Sequence, residues 1–168
     1  MDYRRVKDKI FLRLDKGEDI QESVIAVCRR EKINSAVYHG IGACSEAVIA
    51  TYIPEDNVFL EHKKEGMLEM ISLEGNITHD DAGELLSHAH VMYSYMNDAG
   101  KVEYFGGHLI SAVTWFTAEM VVEPYEGEGI GKMKDPWSEV MVWKFPEQCD
   151  KEQNGAGAEN GNGGESRD

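Results

Sequence analysis

Three histidines, His88, His90 and His108, have the residue type and spacing to bind a metal ion together. They lie on either side of Asn97-Asp98-Ala99-Gly100, where Asn in the first position and Gly in the fourth are typical of a hairpin loop closed by a Gly bulge. If Asn97 pairs with Lys101, His90 faces His108 across an antiparallel ladder, and His88 lies two residues further along the same face. The pattern therefore predicts three imidazoles that converge on one point.

Three histidine ligands with an open fourth position are typical of zinc, and imidazole also suits iron, nickel or copper. Gly106 and Gly107, directly before His108, would let another backbone segment lie close beside the ligand. An alternative interpretation is that the imidazoles are half-buried strand residues satisfied by hydrogen bonds, because His-x-His pairs are common. The predicted register favours a cofactor, zinc or another divalent transition metal.

The 168 residues suffice for one domain with a hydrophobic core, followed by a tail. No run approaches the eighteen apolar residues of a membrane helix, and the start MDYRRVKDK lacks the apolar core of a signal peptide, so we expect a cytoplasmic protein without membrane contact. Cys28, Cys44 and Cys149 are far apart and odd in number, which argues against a disulfide framework or a cysteine metal site.

The net charge of −14 argues against nucleic-acid binding, which depends on Lys and Arg to neutralise phosphates. Residues 147–168 contribute six acids and two bases, so the rest of the chain is still strongly acidic. The basic clusters are short and typical of a solvated face: Arg4-Arg5-Lys7-Lys9, Arg29-Arg30-Lys32 and Lys63-Lys64. DNA as a partner is therefore possible but disfavoured.

The pattern of apolar residues predicts an α+β protein with a mostly antiparallel sheet and one main amphipathic helix. The first strand is Lys9–Asp15, and the helix follows Gly17-Glu18-Asp19, with Ile20, Val24, Val27 and Cys28 on its apolar face. Two later strands are expected at 35–38 and 47–52, separated by a tight bend at 39–43. Two more are expected at 58–63 and 67–77, joined as a hairpin around 64–66. A turn at 79–83, a strand at 113–122 and a last strand or covering segment at 137–145 complete the prediction.

Both faces of the central hairpin are apolar, which predicts contact with another subunit. Ala89, Val91, Tyr93 and Phe105 lie on one face, and Met92, Met96, Val102 and Ile110 lie on the other. A single long helix can cover only one of them, so we expect a homo-oligomer.

Four segments resemble, in order, the PPC domain, the plants-and-prokaryotes conserved domain also found in plant AT-hook nuclear-localised proteins. They are RLDKGEDIQESVIAVCRREKI, GIGACSEAVIATY, LEMISLEGNI and HAHVMYSYMNDAGKVEYFGGHLISAVTWFTAEMVV, together spanning about residues 12–124. We therefore expect a PPC-like domain over 1–124 and a C-terminal extension over 125–146 that packs on it. Residues 147–168, rich in Gly, Asn and acids, are expected to be a disordered tail.

The resemblance implies a single compact α+β domain that forms a homotrimer. For prokaryotic members that keep His-x-His and Gly-Gly-His, it also implies a metal, usually zinc, at the positions of His88, His90 and His108. Members are commonly described as DNA-binding. This chain lacks the Arg-Gly-Arg-Pro hook of the plant proteins, and Gly66–Ile71 reads GMLEMI where the plant signature is GRFEIL.

Three functions remain open. The favoured hypothesis is a trimeric metal-binding regulatory module with DNA association; the alternative is a zinc-dependent hydrolase or lyase whose open position holds water. Candidate general bases for such an enzyme are Glu69, Glu74, His79 and Glu119, although surface roles are more common for such residues. A third hypothesis is an ion that only stabilises the hairpin. Whether the protein is an enzyme, and which small molecule it binds, stays open.

Overall fold

Eight strands and one helix make up the part of the chain that the computed structural model describes, residues 1–127, 129–137 and 139–145. The elements in chain order are β1 (Asp2–Val6), β2 (Lys9–Asp15), α1 (Ile20–Glu31), β3 (Ala36–Ile53), β4 (Val58–His79), β5 (Leu85–Met96), β6 (Val102–Pro124), β7 (Gly131–Lys134) and β8 (Met141–Lys144). The tail expected over 147–168 lies outside the described residues.

Helix α1 forms where the sequence predicts it. The Asp19 side chain accepts a hydrogen bond from the Glu22 backbone N–H at 3.0 Å, and Lys32 ends the helix in a left-handed conformation with φ of 58°. Its predicted apolar face is buried in the core. Within the described residues, no helix has the length and apolar character needed to cross a membrane.

Strands β3, β4, β5 and β6 pair in a closed ring, which holds the hydrophobic core. β3 pairs with β4 and β6, and β5 pairs with the same two strands, all antiparallel. Tyr38, Leu73, Tyr93 and Met120, one from each strand, are buried in a single cluster with the apolar face of α1. The result is a single compact α+β domain, as predicted.

The ring leaves an outer face, opposite the core, that runs across five strands. Successive paired residues on this face include Phe11 of β2, His39 of β3, Glu74 of β4 and His90 of β5. Because paired residues share a side of the sheet, these side chains lie on one surface. The three histidines, His88, His90 and His108, therefore belong to the outer face and not to the core.

Two predicted bends are wrong, because β3 and β4 are long continuous strands. The segment 39–43 contains no tight turn: β3 continues through it with register shifts at Gly40/Gly42 and Cys44/Glu46. Residues 64–66 likewise lie inside β4, where Gly66 has a φ of 112° and no atom lies near its Cβ position. Bulges curve a strand without ending it, so the glycines mark curvature. The turn at residues 54–57 joins the two strands.

The sequence prediction also missed the first strand. β1 pairs with β2 as an antiparallel hairpin at the edge of the sheet. Its sequence, DYRRV, has charged side chains typical of an exposed edge, where Arg5 forms an ion pair with Glu31 of α1 at 3.2 Å. Because most side chains of this edge strand are charged or polar and exposed, its sequence lacks the alternation of apolar and polar residues by which a half-buried strand is recognised.

The C-terminal segment returns to the sheet beside β4. Gly131 of β7 pairs in parallel with His79, and β8 pairs antiparallel with β7. The Ser35 hydroxyl accepts a hydrogen bond from the Ile130 N–H at 2.6 Å, and Lys144 forms an ion pair with Asp81 at 2.6 Å. These contacts hold the β7–β8 hairpin against one end of the outer face.

Candidate metal centre and its pocket

The turn between β5 and β6 has the predicted geometry and sets the register of the histidines. The Asn97 N–H donates to the Lys101 carbonyl at 2.9 Å, and the Gly100 N–H donates to the Asn97 carbonyl at 2.9 Å. Gly100 has a φ of 70°, in the left-handed region that favours glycine. The Asn97 side-chain oxygen also accepts a bond from the Ala99 N–H at 3.0 Å. These local bonds hold the loop in a single conformation.

The three histidines come together as the sequence predicts. His90 is paired directly with His108, and His88 lies on the same face of β5. Their ring centroids are 5.4 Å apart for His88 and His90, 5.0 Å for His88 and His108, and 5.5 Å for His90 and His108. One nitrogen from each ring lies within 4.8 Å of the others.

The glycines before His108 allow the close approach that the sequence suggested. A Cβ on Gly106 would collide with the carbonyl oxygen of Val91 on β5, and one on Gly107 would lie 3.2 Å from the carbonyl oxygen of Ala50 on β3. Larger residues would push β6 away from its neighbours, and His108 would move with it. The glycines thus position the third imidazole.

A cavity of about 810 Å³ opens over the three imidazoles, a size typical of small-molecule sites. The β3–β4 hairpin contributes Tyr52 and Phe59 to its wall, and the Phe59 ring lies 5.6 Å from that of His108. On the other side, the β7–β8 segment contributes Lys132, Val140 and Met141. The C-terminal extension therefore completes a pocket whose floor is the histidine cluster.

Burial keeps two of the imidazoles neutral. Loss of solvent lowers the pKa of His88 from 6.5 to about 4, with further lowering by the nearby Lys132 cation and the other two imidazoles. Burial also lowers the pKa of His108, helped by His90 and Lys132. Neutral imidazole is the form that binds metal, so both rings are ready to act as ligands at neutral pH.

Lys132 is a second candidate residue in this pocket, and the sequence analysis did not identify it. Its side chain is only 7% exposed, and burial lowers its pKa. Among residues 1–127, 129–137 and 139–145, no carboxylate or other side chain forms an ion pair or hydrogen bond with it. Lys132 lies in the C-terminal extension, and its position depends on the long-range pairing of Gly131 with His79.

The histidine cluster fits a divalent transition metal by its donor set. Imidazole nitrogens bind zinc at about 2.0–2.1 Å, which places tetrahedral ligands about 3.4 Å apart. The three nitrogens, all within 4.8 Å of one another, can reach that spacing by small ring rotations. His88, His90 and His108 are the residues that would hold the ion.

The four candidate general bases do not line this pocket. Glu74 is paired with His90, but its side chain is exposed and lines a different cavity, with His39 and Glu119. Glu69 is exposed opposite Ser94. His79 Nδ1 lies 3.0 Å from the carbonyl oxygen of Asp80 in the next turn. None of the four is placed to act on a ligand at the three imidazoles.

Solved structures of similar fold come from archaea and bacteria. A protein of Archaeoglobus fulgidus described as metal-containing is 29% identical with a TM-score of 0.74, over 86% of this chain and 99% of that one. A PPC protein of Pyrococcus horikoshii is 30% identical with a TM-score of 0.70, over 86% and 94%. A Bacteroides thetaiotaomicron protein, described as a candidate DNA-binding protein, is 23% identical with a TM-score of 0.76, over 86% and 96%.

No curated protein matches the chain. The model of the Plants and Prokaryotes Conserved (PCC) domain matches residues 1–126, three quarters of the sequence. The match covers β1 to β6 and all three histidines, and it ends before β7. From this match and the shared fold we conclude that the chain belongs to the Plants and Prokaryotes Conserved domain family, also written PPC.

Proposed function

We propose that this protein is a trimeric metal-binding PPC module with zinc, or another divalent transition metal, at His88, His90 and His108. The observation that carries the proposal is the convergence of three imidazole nitrogens within 4.8 Å on the floor of a pocket. The description of the Archaeoglobus fulgidus protein as metal-containing supports it.

A bound zinc ion would supply a Lewis acid with a position open for water or a ligand. The protein contributes the geometry: the β5–β6 turn sets the register of the ligands, and burial keeps His88 and His108 neutral. The neighbouring β7–β8 segment forms one wall of the pocket. The site therefore needs little reorganisation to accept an ion.

Elemental analysis of protein purified without added metal tests the site. We expect about one ion per chain in the wild type and in a His62→Ala variant, because His62 is exposed on β4 and outside the cluster. A His90→Ala variant should lose the ion. Equal metal content in all three proteins would contradict the proposal.

The proposed trimer has support in the apolar residues left on the outer face. Phe11 is 50% exposed, Ile41 57% and Met92 43%, on the side of the sheet opposite α1. An exposed apolar surface of this kind is typical of an interface between subunits. Sedimentation should give three times the 18.9 kDa chain mass. Ile41→Asp should dissociate the trimer, whereas Val58→Asp, at the tip of the β3–β4 hairpin, should not. A wild-type protein that sediments as a monomer would refute the trimer.

DNA association is the weaker part of the proposal. Arg5, Lys9 and Arg29 each form an ion pair with a glutamate, and Lys63 contacts two, so these cations are already matched by acids. A mobility-shift assay with an AT-rich duplex at moderate salt, with metal present, tests it. Absence of a shift would remove DNA from the proposal and leave the metal site intact.

A zinc-dependent hydrolase or lyase remains the second candidate, supported by the 810 Å³ cavity over the histidines. The test is a screen of ester, amide and phosphoester substrates with metal-loaded wild type and a His108→Ala variant. Equal rates in both would reject metal-dependent catalysis for those substrates. A cytoplasmic location and the division of the chain at residues 124 and 146 stay predictions.

A further inference from the structure

The β7–β8 segment brings an unpaired cation to the histidine pocket. Lys132 lines the same cavity as His88, His90 and His108, and its side chain is 7% exposed. It lies beyond residue 126, where the match to the family model ends. A buried ammonium group is costly unless it has a partner, and none is found among the described residues. A bound anion would supply that partner.

The balance of charge in the pocket also favours an anion. Three imidazole ligands bring no negative charge to a divalent ion, so the ion and Lys132 together leave the pocket strongly positive. Glu139 is the one carboxylate on the described part of the wall, but it is 61% exposed and paired with Lys134 at 3.3 Å. Its charge is therefore directed to the rim of the pocket and does not neutralise Lys132.

Most of the rest of the wall is apolar, apart from Thr51 and Ser87. Phe59 and Tyr52, whose ring centroids are 5.1 Å apart, line one side, while Val140 and Met141 line the other. The wall can bury a hydrocarbon or aromatic group, and the cavity of about 810 Å³ is large enough for one. A ligand that matches both the positive charge at Lys132 and the apolar wall has a small acidic group and an apolar body.

We propose that the pocket binds a small organic carboxylate, whose acidic group lies between Lys132 and the metal position and whose apolar part packs against Phe59, Val140 and Met141. This inference rests on the proposed metal site. A single ammonium group matches the single charge of a carboxylate. A phosphate, with more charge and no apolar body, matches the wall less well.

Cobalt-loaded protein provides a direct test, because the visible spectrum of cobalt changes when a ligand reaches the ion. Cobalt stoichiometry is measured first, and then benzoate, acetate and inorganic phosphate are titrated and followed by both the spectrum and calorimetry. In the wild type we expect benzoate to bind more tightly than either acetate or phosphate. Lys132→Met should weaken benzoate about 10-fold or more, because it removes a charged hydrogen bond.

Lys16→Met is the control, since it removes the same charge at an exposed position that does not line the pocket. It should change benzoate affinity less than about 2-fold. Lys132→Gln repeats the test if Lys132→Met does not fold. Equal benzoate affinity in wild type and Lys132→Met, or tighter binding of phosphate than of benzoate, would overturn the inference while leaving the metal site standing. Failure of the wild type to bind cobalt would instead contradict the metal proposal.

Discussion

Acidifying the metal-free protein should lower its free energy of unfolding, because His88 is held neutral in the folded state. Its pKa is about 4 when folded and close to 6.5 when unfolded. The unfolded chain therefore binds a proton more readily than the folded chain below pH 6.5, and stability falls as the pH drops towards 4. Below the folded pKa both states are protonated, and this contribution to the pH dependence levels off.

The size of the effect follows from these two pKa values. Between pH 7 and pH 5, a shift from 6.5 to about 4 corresponds to a loss of about 2 kcal/mol. The His88 ring remains partly accessible from the pocket, so solvent screening reduces this to about 1 kcal/mol. The lowered pKa of His108 acts in the same direction and adds to the loss.

Urea unfolding at pH 7, 6 and 5, in the presence of a chelator, measures the effect for the wild type and a His88→Leu variant. Most carboxylates remain ionised over this range, and the difference between the two proteins cancels what their titration contributes. We expect the wild type to lose about 1 kcal/mol more than the variant over this interval. Parallel pH dependence in the two proteins would refute the claim that burial keeps His88 neutral.

Three further changes test other parts of the site. His108→Ala should lower zinc affinity by more than about 100-fold, because removing only the hydrogen-bond partner of a metal ligand already lowers affinity about 10–100-fold. A competition assay with His62→Ala as the control measures this, and equal affinities in the two variants would rule out His108 as a ligand. Gly106→Ala should lower the free energy of unfolding in urea by about 1–3 kcal/mol, because the added Cβ would collide with the Val91 carbonyl oxygen. An unchanged free energy of unfolding would mean that β5 and β6 can move apart there without cost. Lys132→Met should raise the stability of the metal-free protein by about 1 kcal/mol, because it removes an unpaired buried cation; a loss of stability would indicate that Lys132 is already paired.

Parts of this protein were predictable because neighbouring residues encode them. The Asn97–Gly100 loop contains its own hydrogen bonds, so its sequence predicts the register that pairs His90 with His108. Helix α1 likewise begins at its own Asp19 cap, and its apolar face repeats within twelve residues. In both cases the interactions that determine the structure are formed within a short stretch of chain.

Other features depend on partners that are distant in sequence, and only the tertiary structure decided them. In the sequence alone, three glycines look like turn residues: Gly40, Gly42 and Gly66. Strands β3 and β4 pair along their whole length and so stay continuous, and these glycines are the points where the strands curve. Lys132 enters the histidine pocket because Gly131 pairs with His79, a contact between segments about fifty residues apart. The sequence by itself determined the convergence of the three histidines, since one local turn aligns them. The pocket around them was decided by long-range strand pairing, which no short stretch of sequence specifies.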